Sequence, residues 1–377
     1  MALIQYLTRL RFGSGELSQL PEELLAATVN YPLIVTDVGV RHAGILDKVV
    51  SVLPMQGIPV HDSVRGDASE EKARAAARLY HSSECDGIIG LGGGAALDQA
   101  KATAVMVADG GALERHAFFK VGMTPNIGGS IPPLILIGTS AGTGAEVNRG
   151  CVVTLENGRK TVVILPPNSI FCAIADPVLT ITLPARETAA TGLDAISHCI
   201  ETYCSPRFNP PADAIALDGL RRSCRHIDVA VQYGEDISAR SEMLMASIEG
   251  ALCFQKGLGA VHALSHPLGT YGVHHGTLNG ILLPRVLAAN SEALGPRQKV
   301  LQSCLAEALH TSGLYSPGES VRVLLDRLSM PTRLREVIPV KPDFVSVARH
   351  AMEEPAHLTN PSLWNLEGYV KVLNESW

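Results

Sequence analysis

Up to about residue 180 the chain alternates two hydrophobic periods. Short β-branched and aliphatic runs at Leu33–Thr36, Gly87–Leu91, Pro133–Gly138, Thr161–Leu165 and Cys172–Ala175 read as strands. Between and before them, Ala43–Leu53, Ser69–Ser82 and Ala95–Val107 repeat apolar residues three and four apart, the period of an amphipathic helix. Such alternation predicts a largely parallel sheet with helices on its faces. After Pro184 the strand signal fades and the helical period takes over, at Ala185–Tyr203, Pro211–Val231, Ile237–Phe254, Ala260–Tyr271 and Gly276–Asn290, with shorter helices beyond. The pattern therefore divides the chain into an α/β domain over residues 1–182 and an all-α domain over residues 183–377.

Composition narrows the class. A chain of 377 residues is long enough for two substantial cores, and 46% hydrophobic residues exclude a disordered protein. The net charge of −6, with no long basic run, argues against nucleic acid as a partner. The opening MALIQYLTRLRFGSG lacks the apolar core and cleavage site of a secretory signal, and no uncharged apolar stretch reaches membrane-spanning length. Eight scattered cysteines without a CxxC pair read as reduced thiols, which leads us to expect a cytoplasmic protein.

The chemistry-bearing residues stand out against this background. Asp194 and His198, in TGLDAISHCIE, are four apart, as are His262 and His266 in GAVHALSHPLG; His275 follows in HHGTLNG. Residues four apart share a helix face, so each pair can aim two ligand atoms at one point. One carboxylate with several imidazoles suits Fe²⁺ or Zn²⁺ and is too rich in nitrogen for Ca²⁺ or Mg²⁺. Either pair alone is equally explained by ordinary polar positions on an amphipathic helix.

Two glycine-rich turns follow predicted strands. In GIIGLGGGAALDQAK, Gly92, Gly93 and Gly94 precede a helix whose free backbone amides suit a pyrophosphate. The spacing Gly90-x-Gly92-x-x-Ala95 matches the dinucleotide fingerprint only loosely, because a strand–helix unit precedes it. The second turn, LILIGTSAGTGAEVN, offers the hydroxyls of Thr139, Ser140 and Thr143 to phosphate or ribose. Asp37 ends the first strand, where a carboxylate accepts from both ribose hydroxyls of NAD and repels the 2′-phosphate of NADP. A capping aspartate fits that position equally well.

In this order the motifs resemble the iron-containing, or group III, alcohol dehydrogenase family over nearly the whole chain. Its GGGSxxDxxK segment is similar to Gly92–Lys101, with Gly92, Gly93, Gly94, Asp98 and Lys101 kept; its TTxGTGSE segment is similar to Thr139–Glu146. DPVLTITLPARETAATGLDAISHCIE and the block from Gly259 to Gly276 match two more family segments. The resemblance implies a dehydroquinate synthase-like fold: an α/β dinucleotide-binding domain, an all-α domain and an active site in the cleft between them. By position it implies Asp194, His198, His262 and His275 as metal ligands, and His266 beside the nicotinamide and substrate in proton transfer. It implies NAD(H) on Gly92, Gly93, Gly94, Asp98, Thr139, Thr143 and Lys160, to which the residue reading adds Asp37 and Ser140. It further implies Fe²⁺, with Zn²⁺ as the alternative, a small alcohol or aldehyde as substrate, and a homodimer or larger homo-oligomer.

Departures from the family pattern carry further expectations. Ala95 and Ala145 replace serines without removing backbone amides, so the cofactor site should persist. His274 is a rival to His275, which we favour because it directly precedes the glycine. Arg149 and Lys256, if they face the cleft, would favour a substrate bearing a carboxylate or phosphonate; surface salt bridges are the plainer expectation. Alternatives within the fold are a maleylacetate reductase-like enzyme and a sugar-acid oxidoreductase. A metallohydrolase is more remote, since two-metal hydrolysis calls for more carboxylates and leaves the glycine turns without a purpose.

Overall fold

The computed structural model of the chain describes residues 4, 6, 8–64, 66–122, 125 and 127–377. It separates into two compact units, one of Tyr6–Ser140 with Gly144–Thr182, the other including Ala141–Thr143 and Leu183–Trp377.

The first unit is built on six parallel strands, β1 (Leu10–Phe12), β2 (Pro32–Asp37), β3 (Val60–Val64), β4 (Gly87–Gly92), β5 (Leu134–Gly138) and β8 (Ile170–Ala175). Their order is β1-β8-β5-β4-β2-β3, with Ile88 to Gly92 of β4 opposite Leu134 to Gly138 of β5. Every residue of β4 and β5 is buried. Because side chains alternate across a strand, the sheet feeds two cores. Leu33, Val35, Ile88, Leu134 and Leu136 pack with the helices Glu70–Ser82 and Gly94–Asp109. Ile34, Ile89, Leu91, Ile135 and Ile137 pack on the opposite side with Leu20, Leu24, Leu46 and Val49. The expected α/β architecture with helices on both faces is therefore what the chain forms.

Three details differ from the pattern reading. Both edge strands, β1 and β3, escape it: one is three residues long, and VHDSV is polar and only half-buried, as edges usually are. The run at Thr161–Leu165 does not join the parallel sheet. It forms β7 (Lys160–Ile164), paired antiparallel with β6 (Gly150–Thr154) in a separate ribbon that closes through Gly158, at φ 80°. The helix expected at Ala43–Leu53 begins at Ile45, because Gly44 adopts a left-handed φ of 72° and separates it from a short turn at Val38–His42.

The second unit is helical. Ala185–Cys204, Pro210–Gln232, Ile237–Leu252, Ala260–Leu268 and His275–Leu294 are its main helices, and shorter ones continue to Leu366–Ser376. Its core joins Leu193, Ile196 and Ile200 to Leu220, Ile227, Met243, Leu264, Leu282 and Leu324. Two helices are shorter than their apolar period suggests. One gives way to a 3₁₀ turn at Cys253–Lys256; the other ends at Leu268, beside Pro267. No helix among the described residues is long and apolar enough to cross a membrane, and the eight cysteines are buried and unpaired with one another.

Candidate functional site

Three helices of the second unit converge on one carboxylate. Asp194 and His198 lie a turn apart on Ala185–Cys204; His262 lies in the first turn of Ala260–Leu268; His275 begins His275–Leu294, with His274 as its N-cap residue. The Asp194 Oδ1 atom is 3.4 Å from His198 Nε2, and 3.6 Å from both His262 Nε2 and His275 Nε2. One ligand atom each from Asp194, His262 and His275 lies within 4.8 Å of the other two. His198 stacks on His262 at 4.6 Å between ring centres, outside that mutual group, and Phe254 packs edge-on against it at 4.5 Å.

Close backbone approach makes this possible. A Cβ at Gly276 would sit 1.9 Å from the Ala190 carbonyl oxygen and 3.1 Å from Asp194 Cβ. Gly276 thus lets the helix carrying His275 lie directly on the helix carrying Asp194.

Burial sets the electrostatics. It pushes the His198 imidazole down to about 4 and His275 well below the ordinary range. His262 is the exception. Burial lowers it too, but the neighbouring Asp194 and Glu201 carboxylates override that and raise it to about 9. Asp194, which burial alone would raise, is held well below the usual carboxylate range by His198, His275 and His262. An ionised carboxylate beside the neutral imidazoles of His198 and His275 suits Fe²⁺ or Zn²⁺, and an ion would displace the proton that His262 holds.

Three polar residues that the sequence reading did not single out complete the cluster. Asn279, one turn after His275, donates to Asp194 Oδ1 over 2.7 Å, and its Nδ2 lies 3.3 Å and 3.2 Å from His262 Nε2 and His275 Nε2. Glu201, two turns after Asp194, accepts from His262 Nδ1 over 2.6 Å. Glu354 holds His266 Nδ1 at 2.8 Å. Four-residue spacing from His275 and three-residue spacing from His198 would have pointed to Asn279 and Glu201. Glu354 lies 88 residues from His266 and leaves no such signal. His266 stays outside the ligand group and stacks on His275 with ring centres 5.4 Å apart.

The first unit gathers most of the residues expected at the dinucleotide. Gly92 ends β4 with φ 142°, and a Cβ there would meet Ala96 Cβ at 2.7 Å and Asp37 Oδ2 at 3.0 Å. Thr139 N donates to Gly92 O over 3.1 Å, which joins the turns after β4 and β5. Ser140 Oγ lies 3.3 Å from where a Gly93 Cβ would be. Gly93 is the N-cap of the helix Gly94–Asp109, and no side chain caps that end. Asp37 accepts from Val40 N over 2.8 Å, leaving Oδ2 toward the turn. Thr143 belongs to the short segment grouped with the helical unit.

Asp98 and Lys160 have other engagements. Burial raises the Asp98 carboxyl; its Oδ2 accepts from Val152 N over 2.9 Å and its Oδ1 lies 3.3 Å from Lys101 Nζ, so it ties the β6–β7 ribbon to the helix. Lys160 Nζ pairs with Asp67 Oδ2 at 2.8 Å. The two cations considered for an anionic substrate are likewise occupied. Lys256 is fully buried and bonds Asp213 and the Tyr203 carbonyl, so the surface salt bridge that is its plainer expectation is instead a buried one. Arg149 Nη1 donates to the Leu165 carbonyl over 2.9 Å.

Comparison with known proteins gives the family. Residues 8–177 match the family described as iron-containing alcohol dehydrogenase, and residues 188–377 match its C-terminal domain. The chain is 39% identical to a 4-hydroxybutyrate dehydrogenase of Cupriavidus necator, covering 100% of both chains. It is 31% identical to a 1,3-propanediol dehydrogenase of Klebsiella pneumoniae, covering 97% of this chain and 96% of that one. Among solved structures, a 1,3-propanediol oxidoreductase superposes with a TM-score of 0.91 at 30% identity over 100% of both chains. With both halves matched in order and a carboxylate–histidine cluster in the helical unit, the chain belongs to the iron-containing alcohol dehydrogenase family.

Proposed function

We propose that this oxidoreductase uses NAD(H) and Fe²⁺, with Zn²⁺ as the alternative ion, to interconvert a small primary alcohol and its aldehyde. The observation that carries the reading is the convergence of Asp194, His262 and His275 from three helices on one point. The preferred substrate class is an ω-hydroxy acid of 4-hydroxybutyrate type, supported by the full-length relative that acts on 4-hydroxybutyrate. Neither Lys256 nor the Leu165-bonded end of Arg149 supports that preference.

Asp194, His198, His262 and His275 would hold the ion, which when bound lowers the pKa of an alcohol oxygen and polarises an aldehyde carbonyl. Gly92, Gly93 and Gly94 would receive the pyrophosphate on the uncapped helix start, with Thr139, Ser140 and Thr143 supplying hydroxyls. Asp37 would take the ribose hydroxyls. Asp98 and Lys160 would shape the floor of the cofactor site through the ribbon they anchor. His266, its Nδ1 on Glu354, would use Nε2 to accept the alcohol proton, and NAD⁺ when bound would supply the hydride acceptor. The balance is alcohol plus NAD⁺ to aldehyde, NADH and one proton. We further place the protein in the cytoplasm, where eight unpaired thiols stay reduced, and as a homodimer or larger homo-oligomer.

The test is metal-resolved activity. Protein stripped by chelator and reloaded anaerobically with Fe²⁺ or Zn²⁺ should reduce NAD⁺ with 4-hydroxybutyrate at a higher kcat/KM than with 1,3-propanediol or 1-butanol. A higher value for the neutral alcohols would reject the ω-hydroxy acid, and no turnover with either ion would reject the metal-dependent reading.

A further inference from the structure

The Glu201 carboxylate is buried in the helical unit, 5% exposed, and the mechanism above does not use it. Its Oε1 accepts from Val261 N over 2.7 Å; its Oε2 accepts from His262 Nδ1 over 2.6 Å and lies 3.4 Å from His262 N. One side chain therefore grips both the first turn of Ala260–Leu268 and the imidazole that this turn carries. A Cβ on Gly259 would approach Glu201 Oε1 to 2.7 Å, so the glycine before the helix is what admits the carboxylate.

We infer that Glu201 is a positioning residue for the metal centre, holding His262 through Nδ1 so that Nε2 is the nitrogen left for an ion beside Asp194 Oδ1. Two physical arguments carry this, and both rest on the reading that the cluster binds a divalent ion. An imidazole has one lone pair to give, and the group bonded to its other nitrogen decides which nitrogen gives it. Glu201 bonds Nδ1, leaving Nε2, which lies 3.6 Å from Asp194 Oδ1 and inside the ligand group. The second argument is charge. A divalent ion bound by one carboxylate and neutral imidazoles leaves one positive charge uncompensated in a buried site, which is costly. The Glu201 carboxylate, one imidazole away, supplies the second negative charge. Asp194, His198 and Glu201 all lie on the same helix, so one rigid element sets two ligands and the counter-charge together.

The inference predicts a loss of metal affinity separable from folding. In Glu201→Gln the side chain keeps its size, but a neutral amide replaces the negative charge and the strong acceptor. Chelator competition on the purified full chain, without cofactor or substrate, should show Fe²⁺ and Zn²⁺ bound ~10–100-fold more weakly than in the parent. Glu201→Asp, which keeps the charge but withdraws it by one methylene, should fall between the two. Long-range ¹H–¹⁵N imidazole spectra of the Zn²⁺-loaded protein should show the His262 proton on Nδ1 in the parent and a mixture of tautomers in Glu201→Gln. If that variant does not fold, the Asp variant and the parent spectrum still decide the matter. Affinity unchanged in the variants, or a parent His262 proton on Nε2, would overturn the inference while leaving the family activity intact. A parent that binds neither ion would instead overturn the metal reading on which it rests.

Discussion

Residues of one type have different fates here according to what surrounds them. Lys101 and Lys256 are both fully buried. Lys101 is held by Gly150 O at 2.7 Å and by Asp98, and Lys256 by Asp213 and the Tyr203 carbonyl, so both cations serve the scaffold. Asp37 differs, with one oxygen on Val40 N and the other toward the Gly92 turn. That division lets its charge be tested apart from its capping bond. Asp37→Ser retains a hydroxyl that can accept from Val40 N, as serine does at helix starts, and removes only the charge. We expect kcat/KM with NADP⁺ to rise relative to NAD⁺ by roughly tenfold, the effect of relieving about 1.4 kcal/mol of repulsion. Steady-state kinetics with both cofactors checks it. An unchanged ratio would leave Asp37 as a cap alone.

At the scale of elements, the metal cluster depends on two helices lying in backbone contact. Gly276 and Gly280 lie one turn apart on His275–Leu294 but face different neighbours. A methyl group at Gly276 would meet the Ala190 carbonyl at 1.9 Å, and backbone cannot yield; one at Gly280 would meet the mobile ends of Leu193 and Leu325 at 3.0 Å and 3.1 Å. Gly276→Ala should therefore force the helices apart, cost on the order of 1–3 kcal/mol and lower metal affinity more than tenfold. Gly280→Ala should cost less and keep the ion. Thermal melts and bound-metal analysis on the pair decide this; equal behaviour would show that the close approach is not what aligns His275 with Asp194.

The same scale explains what could be read in advance. β4, β5 and the long helices announced themselves because burial on a regular period leaves a regular pattern. The edge strands did not, since an edge needs no apolar run. The run at Thr161–Leu165 reads as a strand, but its partner Gly150–Thr154 is short and opens on glycine, so the antiparallel pairing is not legible in the sequence. In the site, four-residue spacing exposed the Asp194–His198 and His262–His266 pairs, and the same rule reaches Asn279 from His275. Glu354 could not be found, because only the fold brings it to His266. The burial of Lys256 is equally hidden, since a lysine just past a helix gives no sign of a buried partner.

For the whole molecule, the cluster makes stability a function of metal. Asp194, His198, His262, Glu201 and Asn279 are buried, each at most 5% exposed, within a unit whose core is otherwise largely aliphatic. An ion that joins Asp194 to His262 and His275 bridges segments far apart in sequence. The unfolded chain retains only the local pairs and so binds the ion far less well. An ion that favours the native state stabilises it by RT ln(1 + [L]/Kd), about 2.7 kcal/mol at a free concentration of 100 Kd. For a chain of 377 residues that should raise the Tm by roughly 3–4 °C. Calorimetry on chelator-stripped protein should show the increment with Fe²⁺ or Zn²⁺ and little with Ca²⁺, whose preference is for oxygen. Asp194→Asn, which keeps the shape but removes the charge of the shared carboxylate, should abolish most of the increment. Asp37→Ser, altered in the other unit, should retain it. An equal increment in Asp194→Asn would mean that the stabilising ion binds elsewhere, and the convergence of three helices on Asp194 would then need a different purpose.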